Sequence, residues 1–459
     1  MSNWQTVTLE DVAESINTGL DAIRRAPIVE HQTNLRCLRI QDISQDKPFN
    51  EWGFTETKKS DYEKYKLTSG DIIIARTGGS IGVNKLIRND FESVFNNGLA
   101  RIRANKNFAT PEFIYCVMQS INFKSHINAI SSGTAAQPNM KVGDMAKFEF
   151  KLPPLNEQKK ITETIFAFID KIHLNTQINQ TLEQIAQALF KSWFVDFDPV
   201  RAKAQALSDG LSLEQAELAA MQAISRKTPE ELTALSQTQP ERYAELAETA
   251  KAFPCEMVEV DGVEMPKGWN LKALSDLGQI ICGKTPSKSN KEFYGNDVPF
   301  IKIPDMHNQV FITQTTDNLS VAGANSQSKK YIPPKSICVS CIATVGLVSM
   351  TSKPSHTNQQ INSIIPNDEK TSEFLYLSLK QPSMTKYLKD LASGGSATLN
   401  LNTSTFSKIE IITPSKEIID IFHNKVFYTF EKVLSNSIEN KRLAKTRDLL
   451  LPRLLNGEI

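Results

Sequence analysis

The stretch SGDIIIARTGGSIG, residues 69–82, returns in altered form as PKSICVSCIATVG at residues 334–346. The similarity continues on both sides of this pair, at an offset that drifts from about 265 to about 260 residues, as short loop insertions would produce. Two homologous repeats are therefore predicted. Other matching pairs are LRIQD (38–42) with FIKIPD (300–305), TPEFIYCVM (110–118) with TSEFLYLSL (371–379), SSGTAAQPNM (131–140) with ASGGSATLNL (392–401), and KFEFKLPPLNEQ (147–158) with KIEIITPSKEI (408–418).

Each repeat mixes strand and helix patterns. Short apolar or alternating runs bounded by Gly, Pro and Asn predict strands, as at residues 72–75, 99–102 and 148–152. One longer helical pattern lies in each repeat, from Pro111 to Ile130 and from Ser372 to Leu391. The predicted fold class of each repeat is α+β.

A different periodicity follows each repeat. After Pro154, and again in the closing segment, apolar residues recur every three or four positions and are interrupted midway by asparagines. Two helices of about 40 residues, each roughly 60 Å long, are expected. Their apolar stripes need burial, so we expect them to pair with each other. The stripes consist of Ile161, Ile165, Phe168, Ile172, Leu182, Ile185, Leu189 and Trp193, broken by Asn175 and Asn179, and of Val426, Phe430, Val433, Leu443, Leu450 and Leu454, broken by Asn436 to Asn440.

The order of repeat, helix, repeat, helix implies a pseudo-two-fold arrangement with the helices in an antiparallel coiled coil. The predicted boundaries are 1–152 for the first repeat, 153–200 for the first helix, 201–268 for a helical insertion, 269–413 for the second repeat and 414–459 for the second helix. The chain carries 52 basic and 51 acidic residues. Because the insertion is acidic, the remainder is mildly basic, which permits nucleic-acid binding without establishing it.

Composition excludes several protein classes. An apolar content of 40% is ordinary for a globular protein, and the least polar stretch, residues 337–350, is too short and too polar to cross a membrane. The N-terminus shows no secretory signal pattern, so we expect a reducing, cytoplasmic location and six free cysteines. Cys338 and Cys341 form a CxxC pair within an apolar run, which favours buried thiols over a zinc site.

A P-loop pattern occurs once, as GQIICGKT at residues 278–285. The loop positions hold Ile and Cys instead of small residues, and Pro286 and a Ser/Asn/Gly-rich loop follow where a helix should begin. The pattern is interpreted as a strand followed by a turn. The six histidines have no ligand-like spacing, and the motifs of common active sites do not occur, so we expect no catalytic centre and no metal or cofactor bound by this chain.

Several segments together resemble the specificity subunit of type I restriction-modification enzymes, and the resemblance covers nearly the whole chain in order. They are SGDIIIARTGGSIG, the EFIYCVMQS helix, SSGTAAQPNM before KFEFKLPPLNEQKKI, ALFKSWFVDFDPV at residues 188–200 and the terminal LLLPRLLNGEI at residues 449–459. The acidic insertion and the GGSATLNL loop of the second repeat depart from the family's pattern.

The resemblance implies two target recognition domains that read a bipartite double-stranded DNA sequence, joined by two conserved helices and without a catalytic centre. It also implies two modification subunits that use S-adenosylmethionine and methylate adenine, and two restriction subunits that use ATP and Mg²⁺ to cleave DNA. No membrane is implied. The alternatives left open are an adaptor with two heads that bind ligands other than DNA and, with less support, a P-loop NTPase.

Base recognition requires forked donors and acceptors, such as Arg or Lys toward guanine and Asn or Gln toward adenine. We therefore expect readers among polar residues on the Gly-rich loops. In the first repeat the candidates are Arg24, Arg25, Arg76, Thr77, Ser80, Lys85, Asn97, Gln137 and Asn139, and in the second they are Lys284, Thr285, Lys288, His307, Asn308, Asn358, Gln359, Thr398 and Asn400.

Apolar residues at the two helix ends are candidates for binding partner subunits. They are Trp193, Phe194 and Phe197 at the end of the first helix, and Leu454 and Leu455 at the end of the second. The alternative for each is packing within the chain against the neighbouring repeat.

Overall fold

The computed structural model describes residues 4–131, 139–393 and 399–459. The candidates Gln137 and Thr398 lie outside these ranges. The chain forms two compact units, one made of residues 1–172 and 442–459 and the other of residues 173–441.

The first repeat lies in the first unit and is a mixture of short strands and helices. Its strands are β1 (Gln5–Thr8), β2 (Ala13–Thr18), β3 (Ile28–Val29), β4 (Arg36–Leu38), β5 (Gly53–Thr55), β6 (Ile72–Ala75), β7 (Asn84–Leu86), β8 (Ser93–Phe95), β9 (Leu99–Ala104) and β10 (Glu149–Leu152), and its helices are α1 (Ile40–Ser44), α2 (Lys59–Tyr65), α3 (Pro111–Gln119), α4 (Ile121–Ser131) and α5 (Val142–Ala146).

Two four-stranded sheets organise this repeat, in the orders β2-β9-β6-β7 and β3-β5-β4-β8, while β1 pairs with β10. The sequence IIIA of β6 is apolar throughout because both faces of the strand are buried. Ile72 and Ile74 join the core beneath α3 and α4, whereas Ile73 and Ala75 join a second core that contains Trp52 and Phe95.

A long helix and a mostly helical insertion connect the repeats. Lys203 is buried in the insertion, where its ammonium group donates hydrogen bonds to the carbonyl oxygens of Ala250 and Phe253 at the C-terminal end of the last insertion helix. A β-hairpin, which the sequence analysis did not anticipate, ends the insertion. The elements are α6 (Leu155–Phe194), α7 (Asp198–Ser208), α8 (Leu213–Ser225), α9 (Pro229–Thr238), α10 (Pro240–Ala252), β11 (Met257–Val260) and β12 (Val263–Pro266).

The second repeat lies in the second unit and is followed by another long helix. The strands are β13 (Asn270–Ala273), β14 (Gly278–Cys282), β15 (Tyr294–Ile301), β16 (Phe311–Ile312), β17 (Asp317–Leu319), β18 (Ile337–Ser340), β19 (Val348–Thr351), β20 (His356–Thr357), β21 (Ile361–Pro366) and β22 (Glu410–Thr413), and the helices are α11 (Leu274–Leu277), α12 (Ile303–Met306), α13 (Val321–Asn325), α14 (Ser372–Lys380), α15 (Pro382–Ala392), α16 (Thr403–Ser407) and α17 (Lys416–Leu455).

The strand order of the second repeat reproduces that of the first. Its main sheet, β14-β21-β18-β19-β16, contains the order β2-β9-β6-β7 with one added strand, and β13 pairs with β22 as β1 pairs with β10. The smaller sheets also agree, because β20 runs parallel to β15 as β8 runs parallel to β4. The predicted α+β class and internal duplication are confirmed.

The single helix expected in each repeat is in fact two helices. The predicted helix from Pro111 to Ile130 breaks at Ser120, whose backbone is extended and whose hydroxyl accepts a hydrogen bond from the Phe123 amide. In the second repeat the break falls at Gln381, because a residue that precedes a proline is pushed out of the helical conformation. The periodicity alone could not separate a break from a continuous helix.

Helices α6 and α17 each span 40 residues and run antiparallel where they meet. In the first unit Ile165 of α6 packs with Leu451 of α17. In the second unit Asn175 donates to Glu439 and Phe190 contacts Phe422, so the two helices advance in opposite directions.

One residue of the predicted α6 stripe is misplaced. Ile185 is 57% exposed, and Ala186 is buried in its place. After Leu182, the buried positions are Ala186, Phe190 and Trp193, and the first two lie one residue later than predicted. The difference arises because a straight helix drifts relative to a repeat of 3.5 residues. None of the described helices combines the length and apolarity needed to cross a membrane.

Candidate functional site

Four candidate readers of the first repeat come together at the ends of β6 and β9. The Arg76 guanidinium donates hydrogen bonds to the Asn97 carbonyl oxygen at 3.1 Å, to Asn139 Oδ1 at 3.2 Å and to the Met140 carbonyl oxygen at 3.4 Å. Thr77 and Asn139 are joined by a β-bridge. Because Asn97 and Asn139 are exposed, the cluster presents amide groups to solvent around a fixed guanidinium.

The other candidates of the first repeat differ in how they are held. Arg25 makes a two-pronged ion pair with Asp61, with distances of 3.1 and 2.5 Å, and this contact lowers the pKa of the Asp61 carboxyl group. Lys85 pairs with Asp46 at 2.6 Å. Arg24 is exposed, and its guanidinium makes no hydrogen bond within the described part of the chain. Ser80 ends a 3-10 turn after the cluster.

The second repeat gathers four candidates on the loops after β14 and β20. Thr285 donates its hydroxyl to Gln359 Oε1 at 2.6 Å, and the Lys284 amide donates to the Thr357 carbonyl oxygen at 2.9 Å. The Lys284 and Gln359 side chains are exposed, whereas Asn358 is buried and donates to Gln360. The loops after β14 and β20 therefore present one cation and two polar groups side by side.

The remaining described candidates of the second repeat lie on separate turns. His307 and Asn308 follow α12, where Asn308 has a positive φ of 57°. Asn400 forms a β-bridge with Ile342, the counterpart of the bridge between Thr77 and Asn139. Lys288 lies on the exposed loop after Pro286.

The segment that carries the P-loop pattern has no P-loop geometry. Residues 278–282 form strand β14, and residues 283–287 continue as an irregular loop instead of a helix. A Cβ atom at Gly283 would lie 2.1 Å from the Asn358 carbonyl oxygen, so glycine is required for close approach to the neighbouring loop. The interpretation as a strand and a turn is confirmed.

The CxxC thiols are buried in the main sheet of the second repeat. Burial raises the pKa of Cys338 to about 12 and that of Cys341 to about 11, so both stay protonated. Cys341 Sγ accepts a hydrogen bond from Asn362. These are the inert buried thiols that the sequence predicts.

The aromatic candidates for partner binding are buried inside the second unit. Trp193 packs edge-to-face on Phe253 at 5.1 Å, while Phe194 and Phe197 each contact Trp269 at 5.8 and 5.7 Å. These contacts match the alternative of packing within the chain, and a partner role for these rings remains a prediction.

The two candidates at the end of α17 are only half-buried. Leu454 and Leu455 lie against the core of the first repeat and retain part of their surface. Leu455 also lines a groove of about 270 Å³ with Ile121 and Pro452.

A family model described as the type I restriction modification DNA specificity domain matches residues 1–184 and 266–445, which contain both repeats and most of both long helices. The chain belongs to the type I restriction-modification specificity subunits. It is thus a DNA-recognition subunit and not itself an enzyme.

Named relatives agree with this assignment. The HindI specificity subunit of Haemophilus influenzae is 64% identical over the full length of both chains. The MjaIX specificity subunit of Methanocaldococcus jannaschii is 34% identical over 41% of this chain and 42% of its own. The crystal structure of the S subunit from M. genitalium shares the fold, with a TM-score of 0.52 at 14% identity over 98% of this chain and 96% of that chain.

Two buried residues behind the second cluster were not predicted from the sequence. Gln327 lies 43 residues from Lys284 in sequence, yet its amide donates to the Lys284 carbonyl oxygen. His356 was classed with the isolated histidines, but its Nδ1 lies 3.3 Å from the same amide. The only sequence signal was a histidine and a threonine where the first repeat has Val94 and Phe95.

Proposed function

We propose that this specificity subunit recognises a bipartite double-stranded DNA target, with one half-site read by each target recognition domain. The observation that carries the proposal is a cluster of candidate polar residues on the loops of each repeat. Arg76, Asn97 and Asn139 converge in one repeat, and Lys284, Thr285 and Gln359 converge on the loops after β14 and β20 in the other. Such groups can supply the donors and acceptors that distinguish base edges in the major groove.

The chain would direct chemistry that its partners perform. Two modification subunits would bind S-adenosylmethionine and methylate adenine within the target, and two restriction subunits would use ATP and Mg²⁺ to cleave DNA. The remaining candidates on the repeats, including Arg24 and Lys288, would contact phosphates or neighbouring bases. The assembly would work in the cytoplasm, where its DNA target is accessible.

Single-residue variants and methylation mapping test this proposal. We expect Lys284→Met to relax the second half-site at one position by about tenfold or more, because each correct base contact contributes about 1–3 kcal/mol of discrimination. Arg24→Met should act only on the first half-site. Lys408→Met is the matched control, since Lys408 is equally exposed but precedes β22. Unchanged recognition in both loop variants would contradict the assignment of these loops.

A further inference from the structure

Buried side chains hold the backbone of Lys284 from inside the second repeat. The Gln327 side-chain amide donates to the Lys284 carbonyl oxygen at 2.8 Å, while the Lys284 amide donates to the Thr357 carbonyl oxygen at 2.9 Å. A carbonyl oxygen can only accept hydrogen bonds, so the Gln327 atom that faces it is the nitrogen. Both backbone polar groups of Lys284 are therefore fixed.

The second hydrogen of the Gln327 amide is directed at His356. The separation between Gln327 Nε2 and His356 Nδ1 is 3.3 Å, and the Tyr331 ring meets the imidazole edge-on at 4.2 Å. His356 is fully buried, and this burial lowers its pKa to about 4. The ring is thus neutral near pH 7, with Nδ1 as the acceptor and the proton on Nε2.

This network is costly for the fold. His356 Nε2 and Thr357 Oγ1 are buried and find no hydrogen-bond partner among the described residues. A buried polar group without a partner loses the hydrogen bonds that water would supply. An apolar pair of residues at these positions would avoid this cost. The presence of the polar network therefore calls for a reason other than stability.

The first repeat shows that the turn itself does not need the network. Leu20 occupies the position of Lys284, and its amide donates to the Phe95 carbonyl oxygen at 2.8 Å, as the Lys284 amide does to Thr357. Val94 and Phe95 stand where the second repeat has His356 and Thr357, in the same parallel pairing of strands. The carbonyl oxygen of Leu20 accepts a hydrogen bond from the Asn97 backbone amide at 2.7 Å, so around Lys284 the Gln327 side chain takes the place of a backbone donor.

We propose that Gln327 and His356 are positioning residues that set the base specificity of the second repeat by fixing the Lys284–Thr285 segment. The proposal rests on the function proposed above. Thr285 in turn donates to Gln359, so a shift of the Lys284 backbone displaces three candidate readers together. Recognition groups act only when held within about half an ångström of their working position.

The test uses the specificity subunit assembled with its modification partner. Methylation rates are measured on the cognate duplex and on duplexes with single-base substitutions in either half-site. We expect Gln327→Met, which keeps the side-chain shape without the donor, and His356→Val, which installs the residue of the first repeat, to lower discrimination in the second half-site by about tenfold. Discrimination in the first half-site should stay unchanged.

A conservative variant separates positioning from general stability. His356→Asn places an amide oxygen near the position of Nδ1 and should restore discrimination to within about twofold of the wild type. It also provides the readout if His356→Val fails to assemble. Equal losses in both half-sites, or a lowered unfolding temperature with unchanged discrimination, would overturn the positioning role.

Lys284→Met distinguishes this inference from the function on which it rests. If that variant alters the second half-site while Gln327→Met does not, the positioning role is wrong and Lys284 remains a reader. If Lys284→Met leaves discrimination unchanged, the reader role of Lys284 is wrong.

Discussion

His356 makes the stability of the second repeat depend on pH. Its pKa falls from 6.5 to about 4 on folding, because the charged ring would be buried. Above pH 6.5 the ring is neutral in both the folded and the unfolded chain, and the free energy of unfolding has its full value. As the pH falls toward 4, the unfolded chain binds the proton more strongly than the folded chain, so the free energy of unfolding decreases. We expect the free energy of unfolding to drop by about 3 kcal/mol across this interval.

Denaturant unfolding of the assembled protein at several pH values, with His356→Val in parallel, measures this effect. Other titrating groups act on both proteins, so the effect of His356 is given by the difference between their free energies of unfolding. As the pH falls from 7 to 5, the free energy of unfolding should decrease more for the wild type than for His356→Val. A difference independent of pH would show that the ring is not held neutral.

Trp193 offers a second test at the scale of one residue. The ring is fully buried between Phe253 and Phe422, so Trp193→Ala should lower the free energy of unfolding by about 3–5 kcal/mol. Val195→Ala, at an exposed position two residues later, should change it by less than about 0.5 kcal/mol. Lost binding of the modification subunit with unchanged unfolding would instead favour the partner role.

Sequence could identify the kinds of side chain in the site but not their partners. Asn97 and Asn139 were foreseeable as polar residues on Gly-rich loops, because loop composition is local. The contact of Arg76 with Asn139 and that of Gln327 with Lys284 join residues 63 and 43 positions apart, and only the folded sheet brings them together.

At the scale of elements, the contacts between α6 and α17 show where both helices can be lengthened without losing their pairing. Asn175 donates to Glu439 and Asn440, and Asn179 donates to Ser437, so the two helices are in register here. Four residues inserted after Gln177, matched by four after Ile438, add one helical turn to both. We expect the unread gap of the DNA target to grow by about 6 Å, near two base pairs.

Mapping of methylated sites in a host that carries the lengthened chain measures the gap. Insertion into α6 alone is the informative control, because it displaces Asn175 from its partners on α17 and should impair assembly. A double insertion that assembles and keeps the original gap would show that the helices do not set the spacing.

Element boundaries were foreseeable where strong local signals occur and not elsewhere. The apolar run of β6 marked a strand because both of its faces are buried. The break at Ser120 went unrecognised because the helical periodicity continues through it. Ile185 was misplaced because the pairing geometry, and not the composition of the stripe, decides which neighbour faces α17.

At the scale of the whole molecule, the repeats differ in their long cationic side chains. Residues 1–152 contain eight arginines, whereas residues 269–413 contain none. The structure reduces this difference, because every one of these arginines except Arg24 uses its guanidinium group within the first unit.

Arg24 is therefore the best-placed arginine for guanine, and the second repeat depends on Lys284 and Lys288. We therefore expect fewer G·C pairs in the half-site of the second repeat. Transplanting residues 269–413 into the first position of an enzyme with a mapped target assigns that half-site. A transplanted half-site at least as rich in G·C as the one it accompanies here would contradict the expectation.

The central claim, that each repeat reads one half of a bipartite target, is tested most directly by exchanging residues 1–152 for the first repeat of a related specificity subunit. Methylated adenines are then mapped across the genome of a host that also carries the modification subunits. The account predicts a split target in which one half-site is new and the other is unchanged. A change in both halves, or a continuous target without a gap, would contradict it.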